Sequence, residues 1–149
     1  MKSSLGTLLD SGESGLFLLE GDVDANVVRL QSLARGYDYI WLDANAVSDK
    51  SDFLQQAKTA FHLPDYFGEN WDALTDCLMD LSWLPGPRWV VLVRGLERLF
   101  GLDPQSYQTI FEILDEARTF WEEQEQPFIV LLGEDCGPEA ASLPPVAFT

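Results

Sequence analysis

The sequence predicts an α/β fold in which a small parallel β-sheet is flanked by helices. Four short apolar runs, each too short for a helix that is apolar on all sides, lie at 16–19, 39–42, 89–93 and 128–132. Such runs are typical of strands buried on both faces of a parallel sheet. Between them, amphipathic segments predict helices over about 24–35, 50–62, 68–82 and 105–124. This alternation favours a layered fold with right-handed crossovers.

The chain has the size and composition of a single globular domain. Its 149 residues are 46% hydrophobic and include five tryptophans and nine phenylalanines, enough for a self-sufficient core. Residues 1–36 add one strand and one helix before the main alternation, and we expect the strand at 16–19 to pair at the edge of the same sheet. Residues 134–149 contain three prolines and no clear periodicity. We therefore expect a C-terminal tail that lies on the surface or is disordered.

Local signals mark the ends of the predicted helices. Asp49 or Ser51 can cap the second helix, and Asp103, which a proline follows, can open the fourth. Pro64 ends the second helix and forces a turn before the third. The Leu-Pro-Gly-Pro sequence at 84–87 then stops the third helix ahead of the next strand.

The predicted third helix has two opposed faces. At about 100° per residue, four apolar side chains gather on one side: Trp71, Leu74, Leu78 and Leu81. Four carboxylates form a stripe of about three turns on the other: Glu69, Asp72, Asp76 and Asp80. No lysine or arginine lies between Lys58 and Arg88 to neutralise them. Like charges one turn apart cost an isolated helix roughly 0.2–0.5 kcal/mol per pair, so the stripe indicates either a solvated face or a positively charged partner.

Charge and cysteine content narrow the class of protein. Twenty-five acidic residues against nine lysines and arginines give a net charge of −16, which disfavours nucleic acid as a partner and favours fast capture of basic proteins. The same charge disfavours self-association through the acidic face, so we expect a monomer. Two cysteines do not define a disulfide scaffold or a zinc site. Without a secretory h-region or a membrane span, we expect a cytoplasmic protein.

The residues offer little for catalysis or metal binding. Asp72 and Asp76 could act as general acid and base only if one occupied an apolar pocket, yet both lie opposite the apolar stripe. His62 has no nucleophile at a recognisable spacing, and Cys77 is expected to pack in the core. The glycine-containing segment 133–137 lacks the lysine of a phosphate-binding loop. No calcium-binding loop is visible either, so we expect no enzyme, no cofactor and no metal site.

One segment of the sequence carries a resemblance to a known family. The string LPDYFGEN at 63–70, followed by Asp72-Ala73-Leu74, Asp76-Cys77 and Leu78, closely resembles the barstar family of intracellular inhibitors of extracellular-type ribonucleases. A weaker likeness runs from Tyr37 to Gly133 and includes Asp115-Glu116-Ala117. The resemblance implies three parallel core strands with helices between them, a barstar-like domain over 37–133, and no cofactor.

The resemblance also implies a site that binds a basic ribonuclease. In the family, an acidic helix and the loop before it plug the nuclease active site. Transferred position by position, the family contacts fall on Tyr66, Asp72 and Asp76, with Asp76 as the anchor, and on Glu116 through the weaker match. Gly68 and Asn70 are expected to orient the start of the helix, and Asp80 adds a carboxylate at the margin. The predicted partner-binding residues are therefore Tyr66, Gly68, Asn70, Asp72, Asp76, Asp80 and Glu116.

The sequence departs from the family pattern at several positions. Thr75 stands where the family carries a tryptophan beside the second aspartate, so a large aromatic contact is missing. Phe67 lacks a tyrosine hydroxyl, and Trp71 replaces a leucine expected in the core. An alternative hypothesis therefore remains: an acidic interaction module for another basic protein, such as a different class of toxin or a nucleic-acid-binding protein, without ribonuclease inhibition.

Overall fold

A six-stranded parallel sheet forms the centre of the molecule in a computed structural model that describes residues 3–148. The strands are β1 (Ser3–Ser4), β2 (Gly15–Leu19), β3 (Asp38–Asp43), β4 (Trp89–Arg94), β5 (Phe128–Gly133) and β6 (Pro145–Ala147). The helices are α1 (Leu5–Ser11), α2 (Ala25–Ala34), α3 (Lys50–Ala60), α4 (Trp71–Leu78), α5 (Glu97–Leu102), α6 (Pro104–Glu123) and α7 (Gly137–Ala141). The predicted α/β class with a parallel sheet and flanking helices is confirmed.

The strands follow the order β1-β6-β2-β5-β4-β3, and every neighbouring pair is parallel. The four predicted apolar runs lie in β2, β3, β4 and β5. In β5 every residue is buried, because the strand has neighbours on both edges and helices on both faces. Continuous apolar sequence is the expected signature of that environment.

The sheet is larger than predicted, and β2 does not lie at its edge. β2 pairs with β5 on one side and with β6 on the other, so the predicted edge position is corrected to an interior one. The structure also differs from the predicted tail, because residues 134–148 contain α7 and β6. Val146 is fully buried, and the Glu20 N–H donates to its carbonyl at 2.9 Å. Pairing with β2, rather than local sequence pattern, orders this segment.

Two hydrophobic layers cover the sheet. On one face, Trp89, Val91 and Val93 of β4 belong to a large cluster that includes residues from α3, α4, α5, α6 and α7. On the other face, Val90 and Leu92 belong to a smaller cluster with residues from α1 and α2. The alternation of side chains along a strand separates these two sets. The result is a three-layer arrangement, with α4 on the larger face.

The helix-start signals read from the sequence correspond to real caps. Asp49 accepts a hydrogen bond from the Asp52 N–H at 2.9 Å, which selects it over Ser51 as the cap of α3. Asp103 caps α6 by accepting from the Ser106 N–H at 3.2 Å and from its hydroxyl at 2.6 Å, and these bonds lower the pKa of Asp103.

None of the helices within residues 3–148 is both long and apolar enough to cross a membrane.

Candidate protein-binding site

The acidic helix α4 is shorter than the sequence predicts. It spans Trp71–Leu78 rather than 68–82, so only Asp72 and Asp76 of the four stripe carboxylates lie within it. Glu69 precedes the helix with a left-handed φ of 52°, and Asp80 follows the C-cap residue. The predicted acidic stripe of three helical turns is therefore wrong. Asp72 and Asp76 are helical, whereas Glu69 lies before α4 and Asp80 lies after it.

The N-terminal limit of α4 is set by Asn70. Its side-chain oxygen accepts a hydrogen bond from the Ala73 N–H at 2.8 Å, in the position of an N-cap. The N-cap residue has extended backbone angles, which prevents the helix from beginning at Gly68. The Asn70 side-chain nitrogen also donates to the Gly68 carbonyl at 3.3 Å. Both residues therefore shape the start of the helix, and the Gly68 carbonyl has a partner within the protein.

Replacing the cap should test this assignment. Asn70→Ala removes the acceptor for the Ala73 N–H and should lower the free energy of unfolding by about 0.5–2 kcal/mol. Urea denaturation followed by circular dichroism measures the change. Asn70→Asp keeps an acceptor oxygen at the same place and should retain most of the stability. Equal losses for the two variants would contradict the capping role.

The exposed face of α4 carries two carboxylates without counter-ions. Asp72 and Asp76 are exposed, and among residues 3–148 neither forms an ion pair. Residues four apart on a helix have Cβ atoms about 5–6 Å apart. Asp72 also lies in the first turn, where the helix dipole favours an anion, whereas Asp76 gains no such benefit. The face can thus present two adjacent carboxylates to a cationic surface.

The opposite face of α4 is anchored in the core. Leu74, Cys77 and Leu78 are buried there, which confirms the expected packing role of Cys77. Burial, together with the nearby charges of Asp80 and Asp76, raises the pKa of the Cys77 thiol. This shift favours the protonated thiol over the reactive thiolate.

Indole groups fix the helix to its neighbours. Trp121 of α6 donates from Nε1 to the Leu78 carbonyl at 2.7 Å, at the C-terminal end of α4. Trp83 donates in the same way to the Phe61 carbonyl at 2.9 Å, beyond the end of α3. Trp71 packs against Phe53 of α3 with ring centroids 6.1 Å apart, and Lys50 lies 5.4 Å from its ring. These contacts hold the acidic face in one orientation, and only the core position of Trp71 was expected from the sequence.

The loop before α4 exposes one large aromatic side chain. Tyr66 is 76% exposed, whereas its neighbour Phe67 is buried and holds the loop against the core. Glu69 accepts a hydrogen bond from the side-chain amide of Gln55 on α3. Tyr66 is therefore available to a partner at the N-terminal end of the acidic face, and Glu69 is tied to the protein itself.

The remaining predicted residues border the same surface. Glu116 is exposed on α6, three residues after Ile113, which lines the contact with Leu74 and Leu78 of α4. This spacing places Glu116 on the flank of α6 that faces α4. Asp80 is exposed just beyond the C-terminal end of α4. Six of the seven predicted residues thus lie in α4 or within five residues of its ends, and Glu116 lies on α6, which packs against α4.

Thr75 does not offer a substitute for the missing family tryptophan. Its hydroxyl donates to the Trp71 carbonyl one turn earlier at 3.0 Å, and the residue is half-buried. The surface beside Asp76 is therefore flatter and less aromatic than the family pattern implies.

Within residues 3–148, no group of three or more histidine, cysteine, aspartate or glutamate side chains is arranged to hold a metal ion.

Comparison with known proteins decides the family. The family model described as Barstar (barnase inhibitor) matches residues 37–133, well over half of the chain. The chain belongs to the barstar family. The matched residues begin just before β3 and end with β5, and they contain α4 and every predicted partner-binding residue. The description of the family is that of an inhibitor and not of an enzyme.

A solved structure shares the wider architecture of this barstar-family chain. The Orc1 protein of Aeropyrum pernix, solved in complex with DNA, is 16% identical in sequence and superposes with a TM-score of 0.57. The match covers 97% of this chain but only 43% of the Orc1 chain. At this identity the likeness shows a common fold and no common activity. The likeness therefore extends beyond the residues of the family match.

Proposed function

We propose that this barstar-family chain inhibits a basic ribonuclease by placing α4 and the preceding loop in the enzyme's active site. The observation that carries the proposal is the two-sided character of α4. Its apolar side is anchored by Leu74 and Leu78, while Asp72 and Asp76 are exposed and form no ion pair with any residue of the described range 3–148. The repulsion between the two carboxylates destabilises the isolated helix. A cationic partner would offset this repulsion.

Carboxylates suit a surface that binds phosphate. A ribonuclease active site must hold the phosphates of RNA, and arginine or lysine side chains supply that binding. Arginine forms bidentate, charge-assisted hydrogen bonds with carboxylates as it does with phosphates. Asp76 is the proposed anchor, and Asp72, Glu116 and Tyr66 are the further proposed contacts. Occupying the phosphate sites would deny them to RNA, without any chemistry on the part of the inhibitor.

The overall charge should make association fast and sensitive to salt. A net charge of −16 attracts a basic enzyme over distances comparable to the Debye length. Raising the salt from about 0.01 M to about 1 M shortens that length from about 30 Å to about 3 Å. We expect the association rate constant to fall by about 10-fold or more, with a much smaller change in dissociation. Stopped-flow fluorescence measures both rates, and an association rate independent of salt would contradict electrostatic steering.

The partner and its inhibition can be identified in one experiment. Immobilised wild-type protein and the Asp72→Ala/Asp76→Ala double variant are exposed to lysate and culture medium of the source cells. Proteins retained only by wild type are identified and assayed for RNA cleavage with and without inhibitor. A basic ribonuclease that wild type silences and the double variant does not would support the proposal. Retention of a basic protein without nuclease activity would contradict it and favour the alternative interaction module.

We propose further that the inhibitor acts as a monomer, with one ribonuclease bound per chain, in the cytoplasm of the cell that makes the enzyme. Residues 37–133 supply the inhibitory surface in this proposal. Residues before and after them complete the sheet through β1, β2 and β6 and lie outside the proposed contact.

A further inference from the structure

A crevice with a volume of about 330 Å³ opens beyond the carboxyl ends of three strands of the sheet. Its lining includes Gly21 and Asp22 after β2, Arg94 at the end of β4, and Glu134 and Asp135 after β5. None of the seven predicted partner-binding residues lines it. The volume falls in the range of roughly 300–1,000 Å³ that small-ligand sites occupy.

The chain leaves the sheet in opposite directions on the two sides of this crevice. β2 and β5 are parallel neighbours. After β2, the helix α2 packs on the smaller hydrophobic layer through Val28, whereas α7 after β5 packs on the larger layer through Ala140. Open parallel sheets bind ligands at such a topological switch point. Phosphate groups bound there are held by loop N–H groups, helix N-termini and arginine side chains.

Two backbone donors beside the crevice already hold carboxylates of the protein. The N–H of Gly21, a loop residue with a left-handed φ of 88°, donates to Glu134 Oε1 at 3.0 Å. At the start of α2, the Asn26 N–H donates to Asp24 Oδ1 at 2.7 Å. Each carboxylate oxygen therefore takes the place that a phosphate oxygen would need.

The arginine of the crevice is engaged in the same way. Arg94 Nε donates to both carboxylate oxygens of Asp135, at 3.1 Å and 3.2 Å. Its Nη1 donates to the Val23 carbonyl at 3.2 Å, and Asp22 Oδ1 lies 3.8 Å from its Nη2. A Cβ atom on Gly133 would lie 2.5 Å from Arg94 Nε, so glycine at the end of β5 makes room for the guanidinium group. Arg94 thus joins the loop after β2 to the ends of β4 and β5.

The charge of the crevice also opposes an anionic ligand. Asp22, Glu97, Glu134 and Asp135 supply four carboxylates to the lining, against the one guanidinium group of Arg94. A phosphate monoester carries a charge of about −1.5 to −2 at neutral pH. It would therefore have to displace bound carboxylates and also approach a surface of its own sign.

We infer that the protein's own carboxylates close this switch-point crevice to phosphate-bearing ligands. Glu134 and Asp135 occupy the donors that would otherwise hold phosphate oxygens. Arg94 instead links the N-terminal residues 1–36, through Asp22 and Val23, to the residues matched by the family. None of these residues belongs to the proposed ribonuclease contact, so a failure of ribonuclease inhibition would leave the closure of the crevice unaffected.

Calorimetric titration with pyrophosphate, at constant ionic strength and without divalent cations, tests the closure. Wild type should show no saturable binding. The triple variant Asp22→Ala/Glu134→Ala/Asp135→Ala frees the Gly21 N–H and the Arg94 guanidinium group, and it should bind pyrophosphate saturably. Adding Arg94→Gln to the triple variant should weaken that binding at least about 10-fold.

Thermal melting followed by circular dichroism checks that the variants fold. If the triple variant does not melt cooperatively, Glu134→Ala alone takes its place. This variant changes an exposed side chain and frees the Gly21 N–H, while it keeps the bond between Arg94 and Asp135. It should also gain saturable pyrophosphate binding.

A second triple variant controls for the loss of negative charge. Glu13→Ala/Asp65→Ala/Glu123→Ala removes three exposed carboxylates that do not line the crevice, and it should bind pyrophosphate no better than wild type. Saturable binding by wild type would overturn the inference. So would the absence of any gain in the folded variant that lacks the crevice carboxylates, or an equal gain in the control.

Discussion

Replacing Asp76 with asparagine should weaken binding to the ribonuclease by about 2–5 kcal/mol, roughly 30-fold to 5,000-fold in the dissociation constant. The substitution keeps the size and shape of the side chain but removes its charge. A cation of the enzyme would then be buried in the interface against a neutral amide, and such an unpaired charge is costly. Asp76 should have the largest effect of the seven residues because it is the proposed anchor, is exposed on α4 and forms no ion pair within residues 3–148.

The kinetic pattern distinguishes this loss from a general change in charge. Asp76→Asn should act mainly by raising the dissociation rate constant, since short-range hydrogen bonds are lost. Glu13→Gln is the matched control: Glu13 is exposed between α1 and β2, outside the proposed contact, and its replacement lowers the net charge by the same amount. The control should slightly slow association only. Equal effects of the two variants on dissociation would mean that Asp76 does not contact the enzyme.

The central strands could be predicted because burial on both faces of the sheet requires a continuous run of apolar residues. β4 and β5 are buried on both faces and appear as continuous apolar runs. Asp49 and Asp103 could be recognised as caps because capping depends on residues only three positions apart. Local chemistry determines these features, so local sequence reveals them.

Other parts of the fold depend on contacts that a local pattern does not record. β6 contains three residues and begins at a proline, and its pairing with β2 joins segments more than a hundred residues apart. That pairing also moves β2 from the predicted edge to the interior of the sheet. No apolar run of strand length precedes β6 in the C-terminal segment, so neither its existence nor its effect on β2 could be inferred.

The residues of the candidate site stay a prediction from the sequence motif, whereas the contacts that support α4 are visible only in the structure. The motif around 63–78 identified the carboxylates and the loop, whereas the period of the acidic residues suggested too long a helix. Asn70 was available as an N-cap signal that would have corrected the start. The bonds from Trp83 and Trp121 to backbone carbonyls had no such signal, because tryptophan spacing does not reveal which carbonyl an indole will reach.

Replacing Leu78 with alanine should lower the free energy of unfolding by about 2–5 kcal/mol. Leu78 is 1% exposed and lies among apolar side chains of α3 and α6, including Phe53, Phe61 and Ile113. Truncation removes its buried surface and leaves a space that the surrounding helices can fill only in part. Urea denaturation measures the loss. Leu30→Ala on α2 makes the same chemical change at a position that is 53% exposed and should cost no more than about 0.5 kcal/mol.

The size of that loss bears on how the acidic face is maintained. A helix of eight residues is too short to be stable alone, and the like charges of Asp72 and Asp76 weaken it by a further 0.2–0.5 kcal/mol or so. Packing of Leu74 and Leu78 must therefore hold α4 in place while its carboxylates remain unpaired. If Leu78→Ala cost less than about 1 kcal/mol, α4 would be loosely attached, and the proposed rigid presentation of Asp72 and Asp76 would have to be abandoned.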